Sequence, residues 1–242
     1  MRKFILLDTE TTGIDEKDRI CQLAFIVADK NGKKPFESLC KPPLPIGYYA
    51  MSTHNITNEM VQDKPIFSEC ESAKKLNELN SEKNILIIQN APFDLGMLKK
   101  EGFEWQGELI DTLRCIKHLQ PELESHSLQY LRYALGFYKK ENELAKKFGI
   151  EIKAHDALGD VVVLTLLMEY LVEKVNRDIQ KLIDLTKEPI LYESVKFGKH
   201  KNSSYQEAVA KDKQYFEWAL KNMDLDSDTK YTINYHLQKG QA

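Results

Sequence analysis

The 242-residue chain has few cysteines and no long apolar run. No stretch approaches the roughly 20 apolar residues that a membrane span needs. The apolar stretch at residues 4–7 is soon followed by acidic residues and is too short for a secretory signal. The four cysteines lie far apart and form no Cys-x-x-Cys pair, which predicts neither a zinc site nor a disulfide framework. We therefore expect a cytoplasmic protein that has no membrane partner.

The chain also lacks a strong excess of positive charge. It carries 34 Lys and Arg against 37 Asp and Glu, for a net charge of −3. This balance argues against a broad, non-specific nucleic-acid surface, because such surfaces neutralise phosphates with many cations. It is compatible with an enzyme that meets a single strand at one acidic, metal-loaded site. The hydrophobic content of 42% is that of an ordinary globular protein.

Hydrophobic patterning predicts a mixed α/β sheet covered by helices. Three antiparallel strands are expected first, with an Asn-Gly hairpin between the second and third, and two further strands then alternate with helices. The predicted strands are residues 4–7, 20–28, 34–41, 84–88 and 108–110. The predicted helices are residues 65–81, 92–100, 127–135 and about 156–185. A break near Pro189 predicts a domain at residues 1–185 and a small α-rich module at residues 186–242.

Two acids stand together at the end of the first predicted strand. Asp8 and Glu10 are two residues apart, so their side chains point to the same face of the strand. Two carboxylates held this close repel unless a cation or a proton lies between them, and Mg²⁺ prefers such oxygen ligands. The alternative is a solvated strand end, which these residues alone favour equally.

Two further acidic segments follow predicted strand ends or helix starts. Asp94 falls in a first helical turn, where the helix dipole alone would explain a negative charge. Asp156 is a natural N-cap for the longest predicted helix, and it stands between His155 and Asp160. His155 has the ordinary pKa range of a general base, although a simple capping role explains it equally well.

Taken together, these segments resemble the DEDDh 3′–5′ exonucleases. Three separated motifs in the first 175 or so residues carry the resemblance: residues 6–13 (Leu-Leu-Asp-Thr-Glu-Thr-Thr-Gly), residues 90–95 (Asn-Ala-Pro-Phe-Asp-Leu), and His155 followed five residues later by Asp160. The resemblance implies an RNase H-like fold and a two-metal phosphodiester hydrolase. Two divalent cations are expected, Mg²⁺ with Mn²⁺ as a substitute.

The resemblance also implies roles for individual residues. Asp8, Glu10 and Asp160 would hold the metals, Asp94 would bind them directly or through water, and His155 would be the general base. Contacts to the terminal nucleotide are expected from Thr9, Glu10, Thr12, Gly13, His54, Ile56 and Phe93, with Ile56 as an apolar wedge. Two positions depart from the common pattern: Gln89 stands where many relatives have His, and Asp156 where Arg is common. We expect little catalytic consequence from Gln89.

The C-terminal segment resembles the C-terminal region of exonuclease X-like members, through Phe197-Gly198-Lys199-His200-Lys201 and the later Tyr-x-x-Trp. Lys196, Lys199 and Lys201 are expected to contact nucleic acid. The aromatic residues Phe197, Tyr215 and Trp218 are expected to form the small core of the module, although stacking on bases is an alternative.

The leading hypothesis is a 3′–5′ exonuclease that releases nucleoside 5′-monophosphates from DNA, with the 3′ end of a single strand as its binding partner. The first alternative is a 3′–5′ exoribonuclease of the RNase T or oligoribonuclease type. A proofreading subunit with a polymerase partner and a catalytically silent adaptor are the others. No residue in the sequence decides between DNA and RNA.

Overall fold

The computed structural model describes residues 2–149 and 157–239. The chain divides into two compact units, Met1–Thr186 and Lys187–Ala242. The first unit is built on a five-stranded sheet with the order β3-β2-β1-β4-β5. The strands are β1 (Phe4–Thr11), β2 (Ile20–Asp29), β3 (Gly32–Leu39), β4 (Ile85–Ile88) and β5 (Glu108–Asp111).

The sheet is mixed, as the sequence predicts. Strands β1, β2 and β3 pair antiparallel, and Asp29 pairs with Gly32 across the two-residue loop Lys30-Asn31, which confirms the predicted hairpin. Strand β4 runs parallel to both β1 and β5. All four residues of β4 are buried, because helices cover both faces of the sheet there. The predicted five-stranded α/β architecture is confirmed.

Helices of the first unit flank the sheet. Those in the described part of this unit are α1 (Tyr48–His54), α2 (Asn58–Val61), α3 (Glu71–Leu79), α4 (Ala91–Lys100), α5 (Thr112–Leu119), α6 (Leu128–Ala134), α7 (Glu141–Phe148), α8 (Ala157–Lys174) and α9 (Ile179–Lys187). None of the helices that the structure describes combines the length and apolar content of a membrane span.

Alternation along the strands separates two cores. Leu6 of β1 lies in one apolar cluster with Val161 and Leu164 of α8. Ile5 and Leu7 lie in a second cluster, together with Leu76 of α3 and Leu98 of α4. Helix α8 therefore covers the face to which the even-numbered residues of β1 point, and α3 and α4 cover the other face.

The prediction of one helix from about residue 156 to 185 is wrong, because the chain breaks between α8 and α9. Asn176 and Arg177 adopt left-handed φ values of 52° and 66°. The Arg177 N–H donates to the Val172 carbonyl at 2.8 Å, which closes the end of α8. The Asp178 carboxylate then accepts from the Lys181 N–H at 3.2 Å and opens α9.

The second unit packs α10 (Tyr205–Lys211), α11 (Lys213–Asn222) and α12 (Ser227–Lys239) around the buried Tyr205, Phe216 and Ile233. Phe197 and Tyr215 pack against this core as expected. The prediction is wrong for Trp218, which is 52% exposed and stacks on the Tyr215 ring at a centroid distance of 6.1 Å. Trp218 lies on the exposed face of α11, and the Tyr215 ring that it stacks on packs against the core.

Candidate active site

The acidic site forms where β1 extends beyond its parallel neighbour. The described pairing of β1 with β4 ends at Leu6 and Ile87, whereas β1 continues to Thr11 along β2. Asp8 and Glu10 therefore lie at the carboxyl end of the parallel strands, beyond the last pair with β4. In α/β sheets this edge is where ligands bind.

Three carboxylates meet at this edge. Asp8, Glu10 and Asp160 each offer an oxygen, and these oxygens all lie within 4.8 Å of one another. Asp8 and Glu10 share the face of β1 that α8 covers, and Asp160 lies in the first turn of α8. All three residues are partly buried. Carboxylate oxygens at this spacing are a donor set that fits a hard divalent cation.

Gln22 fixes the beginning of α8 against the sheet. It pairs with Glu10 in the β1–β2 register, and its side-chain oxygen accepts from the Ala157 N–H at 3.1 Å. Its amide nitrogen donates to Glu37 Oε1 at 2.6 Å, which orients the amide group. This buried contact places the first turn of α8, and therefore Asp160, beside Glu10. Sequence reasoning missed Gln22, and its only signal was a polar residue within an apolar strand.

Asp160 is also held from a second helix. Gln129 of α6 donates from Nε2 to Asp160 Oδ1 at 2.7 Å. The Gln129 oxygen in turn accepts from Arg132, whose guanidinium forms a two-point ion pair with the buried carboxylate of Glu141. An ordered chain of contacts therefore supports the carboxylate of Asp160.

Asp94 does not belong to the three-carboxylate cluster. It lies in the first turn of α4, is 3% exposed, and accepts from Thr9 Oγ1 at 2.7 Å. Thr9 points to the opposite face of β1 from Asp8 and Glu10. Burial raises the pKa of Asp94 to about 7, although the bond from Thr9 opposes this shift. A buried carboxyl of this kind titrates near neutral pH, which is unusual for aspartate.

Asp111 positions the segment that carries Asp94. Its carboxylate accepts from the backbone N–H groups of Asn90 and Ala91 at 3.1 and 3.2 Å, where the chain enters α4. The same carboxylate caps α5, because it also accepts from the Leu113 N–H at 2.9 Å. Asn90 adopts a left-handed φ of 66°, so these bonds hold a turn that the chain would otherwise disfavour. The Asp-Thr sequence after a strand was a recognisable capping signal for this residue.

Gln89 connects the same region to neighbouring segments. Its oxygen accepts from Thr112 Oγ1 at 2.6 Å and its nitrogen donates to the His126 carbonyl at 2.8 Å. The side chain therefore holds the end of β4 against the beginnings of α5 and α6. Its catalytic effect stays a prediction.

The predicted nucleotide contacts divide into a tight turn and a buried helix end. Thr12 donates to Asp18 Oδ1 at 2.8 Å. A Cβ on Gly13 would lie 2.5 Å from Asp18 Oδ2, so a side chain there would displace the carboxylate that Thr12 holds. His54 ends α1, with Nε2 3.1 Å from the Thr11 carbonyl, and its Nδ1 accepts from the Ile56 N–H at 3.0 Å. Burial lowers the pKa of His54 and favours this neutral form.

Two other predicted contacts, Ile56 and Phe93, pack against apolar clusters of the first unit. Ile56 is 4% exposed and packs with Cys21, Ile46 and Val61. A wedge must present apolar surface to a base, and the wedge role of Ile56 stays a prediction. Phe93 is partly buried and packs against the core beneath α4. His155 and Asp156 fall outside the described residues.

The lysines predicted to contact nucleic acid lie in the second unit. Lys196, Lys199 and Lys201 are exposed. The Lys199 ammonium pairs with Asp212 Oδ2 at 2.6 Å and lies 4.8 Å from the centre of the Tyr215 ring. His200 also meets Asp212, and these two partners lower the pKa of that carboxyl to about 2.

Comparison with known proteins agrees with this geometry. A family model described as Exonuclease matches residues 5–168. Exodeoxyribonuclease 10 of Escherichia coli is 26% identical over 235 residues, which are 96% of this chain and 98% of that protein. A DNA polymerase III PolC-type protein of Bacillus cereus is 30% identical over 73% of this chain, but over only 11% of its own length.

Solved structures share the fold. Exonuclease X in complex with 5′ overhanging duplex DNA superposes with a TM-score of 0.58 and 25% identity, over 77% of this chain and 99% of that one. The expected RNase H-like architecture is thereby confirmed. On the match of the family model across most of the first unit, the chain belongs to the exonuclease family.

Proposed function

We propose that the chain is a metal-dependent 3′–5′ exodeoxyribonuclease that releases nucleoside 5′-monophosphates from single-stranded DNA or from 3′ ends. The observation that carries the proposal is the meeting of Asp8, Glu10 and Asp160 at the sheet edge. Support for DNA as the substrate comes from the near full-length similarity to an exodeoxyribonuclease. That similarity also favours a free-standing enzyme over a polymerase proofreading subunit.

In this proposal Asp8, Glu10 and Asp160 hold two divalent cations, Mg²⁺ or Mn²⁺. The donor set fits because three carboxylate oxygens within 4.8 Å repel one another unless positive charge lies between them. Bound cations of this kind would supply Lewis-acid stabilisation of the attacking and leaving oxygens of a phosphodiester. Gln22 and Gln129 keep the three carboxylates together through the contacts at Ala157 and Asp160.

Proton transfer is assigned to His155. A neutral imidazole at this position would take a proton from the attacking water, because its pKa class suits transfer near neutral pH. Asp94 is assigned a role as a ligand of the cations, either directly or through a water molecule. The bond from Thr9 connects Asp94 to the strand segment between Asp8 and Glu10.

The terminal nucleotide is assigned to the turn after β1 and the end of α1. Thr9, Glu10, Thr12 and Gly13 would contribute mainly backbone contacts, since the Thr9 and Thr12 hydroxyls already donate to Asp94 and Asp18. His54 would act by holding the Thr11 carbonyl in place. Phe93 would line the same region from α4.

The first unit is proposed to be the exonuclease domain, and the second a nucleic-acid-binding module. Lys196, Lys199 and Lys201 are the proposed phosphate contacts. The Lys199 ammonium remains accessible, because its side chain is more than half exposed despite the pair with Asp212. Half-exposed Trp218 offers a ring face for stacking beside it.

The proposal is tested with two 5′-labelled oligomers of matched sequence, one DNA and one RNA, incubated with the purified chain and Mg²⁺. A descending ladder on DNA is the expected result. Asp8→Asn should abolish the ladder, whereas Asp63→Asn, which alters an exposed carboxylate away from the cluster, should leave it unchanged. A ladder on RNA alone would reassign the substrate, and no ladder on either with Mg²⁺ or Mn²⁺ would overturn the proposal.

A further inference from the structure

Helix α1 has one face that packs and one that does not. Ala50, Met51 and His54 lie on the inner face, where Ala50 and Met51 pack against the cluster around Cys21. The outer face begins with Tyr48 and Tyr49, which are 89% and 88% exposed. The Ser52 and Thr53 hydroxyls donate to the backbone carbonyl of Tyr49, but no described residue forms a hydrogen bond or a ring contact with either tyrosine side chain. Packing of the domain therefore does not explain two adjacent aromatic residues here.

Both ends of α1 are attached to the strand that carries the acidic site. The Gly47 N–H donates to the Thr12 carbonyl at 3.2 Å, and His54 contacts the Thr11 carbonyl at 3.1 Å. Thr11 and Thr12 directly follow Glu10 in the chain. At ~3.5 Å per residue, these links place the Cα atoms of the tyrosines within roughly 20 Å of that of Glu10.

This separation suits a single nucleic-acid strand whose 3′ end reaches the carboxylates. Roughly six nucleotides span 20 Å at the duplex rise of ~3.4 Å per phosphate, and fewer are needed in an extended strand. The proposed function places a 3′ end at Asp8 and Glu10, so the nucleotides that precede that end must pass near the surface around the carboxylates. Aromatic rings stack on any base, because every base has a flat π face.

We propose that Tyr48 and Tyr49 form a base-stacking subsite for unpaired nucleotides that precede the scissile bond. This inference rests on the proposed function and adds a specificity determinant to it. The two tyrosines follow each other on a helix, so their rings diverge and serve different bases. The subsite favours single-stranded ends, since a paired base presents no free face within a stacked duplex.

The test compares the wild type with Tyr48→Ala/Tyr49→Ala on a single-stranded oligomer. We expect KM to rise roughly 5- to 150-fold, the range that the loss of one stacked base gives. The kcat value should change less than about 2-fold, since the carboxylates are untouched. Tyr48→Phe/Tyr49→Phe should keep the wild-type KM, because phenylalanine preserves the ring. Ile66→Ala, at another exposed apolar residue of the first unit, is the control.

An abasic series identifies stacking directly. Oligomers with one abasic site at successive positions from the 3′ end should show a raised KM at one or two positions with the wild type. The same lesions should have no further effect on the double alanine variant. Equal effects in both proteins, or an unchanged KM in the double variant, would overturn the inference.

A small substrate separates this inference from the proposed function. A nucleoside 5′-(p-nitrophenyl phosphate) has no preceding base, so the double alanine variant should hydrolyse it at the wild-type rate within about 2-fold. A comparable loss on this ester would show damage to the active site and would overturn the subsite. If the wild type hydrolyses neither the ester nor the oligomer, the proposed function fails, and the inference fails with it.

Discussion

Replacement of Thr9 by valine removes one hydroxyl group and keeps the branched shape of the side chain. That hydroxyl donates to Asp94 Oδ1 at 2.7 Å, and both residues are buried. The carboxylate form of Asp94 depends on this bond because burial disfavours its charge. We expect Thr9→Val to raise the pKa of Asp94 above its present value of about 7.

The magnitude depends on the charge of Asp94. A hydrogen bond to a charged group contributes ~1.5–3 kcal/mol, whereas one to a neutral group contributes ~0.5–1.5 kcal/mol. At pH 8 Asp94 is mostly ionised in the metal-free protein, so Thr9→Val should lower the free energy of unfolding by about 2 kcal/mol. At pH 5.5 Asp94 is protonated, and the loss should be about 1 kcal/mol. The difference of ~1 kcal/mol corresponds to a further pKa rise of roughly 0.7.

The assay is urea unfolding of the metal-free protein at pH 5.5 and pH 8. In the wild type the raised pKa of Asp94 contributes stability that is fully present below pH 4 and is lost as the pH rises through 7. Thr165→Val is the matched control, because Thr165 is buried but donates to the neutral Val161 carbonyl at 2.8 Å. The loss in free energy of unfolding caused by Thr165→Val should be the same at both pH values. An equal cost of Thr9→Val at both pH values would refute the reasoning.

Three further predictions follow from single contacts. Asp8→Asn should reduce turnover at least about 1000-fold with circular dichroism unchanged, and turnover within 10-fold of the wild type would contradict the role of that carboxylate. Gly198→Ala should destabilise the second unit by about 2 kcal/mol or more in hydrogen exchange, because Gly198 has a φ of 58° and a Cβ there would lie 1.8 Å from Tyr215 Oη. Unchanged protection would argue against this conformation. His54→Gln should flatten the pH dependence of stability below pH 6.5, where the lowered pKa of buried His54 makes the wild type lose stability as the unfolded chain takes up a proton. Parallel curves for the two proteins would contradict the burial of that ring.

Local rules explain the parts of the fold that could be predicted. The alternation of β1 is enough to place Asp8 and Glu10 on one face, and the Asn-Gly pair is enough to place the β2–β3 hairpin. The resemblance to a known family, and not local pattern, brought Asp160 to the same site. The structure supplies the physical reason, which is the contact from Gln22 to the first turn of α8.

Other features depend on tertiary contacts that no local pattern contains. The apolar spacing continues through Val175 and Ile179, so it conceals the two left-handed residues that end α8. The wedge role of Ile56 came from the resemblance alone, and its packing among residues of α1 and α2 depends on contacts that the local sequence does not contain. Trp218 lies on the outer face of α11, four residues before the end of that helix. The composition of the second unit does not show whether its tryptophan is buried in the core or exposed.

Metal binding tests the central claim most directly, because it does not depend on the choice of substrate. Electron paramagnetic resonance of Mn²⁺ titrated into the wild type with a nucleoside 5′-monophosphate should count two ions per chain. Asp8→Asn and Asp160→Asn should each remove at least one of them, whereas Asp63→Asn should bind as the wild type does. Unchanged binding in both cluster variants would contradict the assignment of these carboxylates as the metal site.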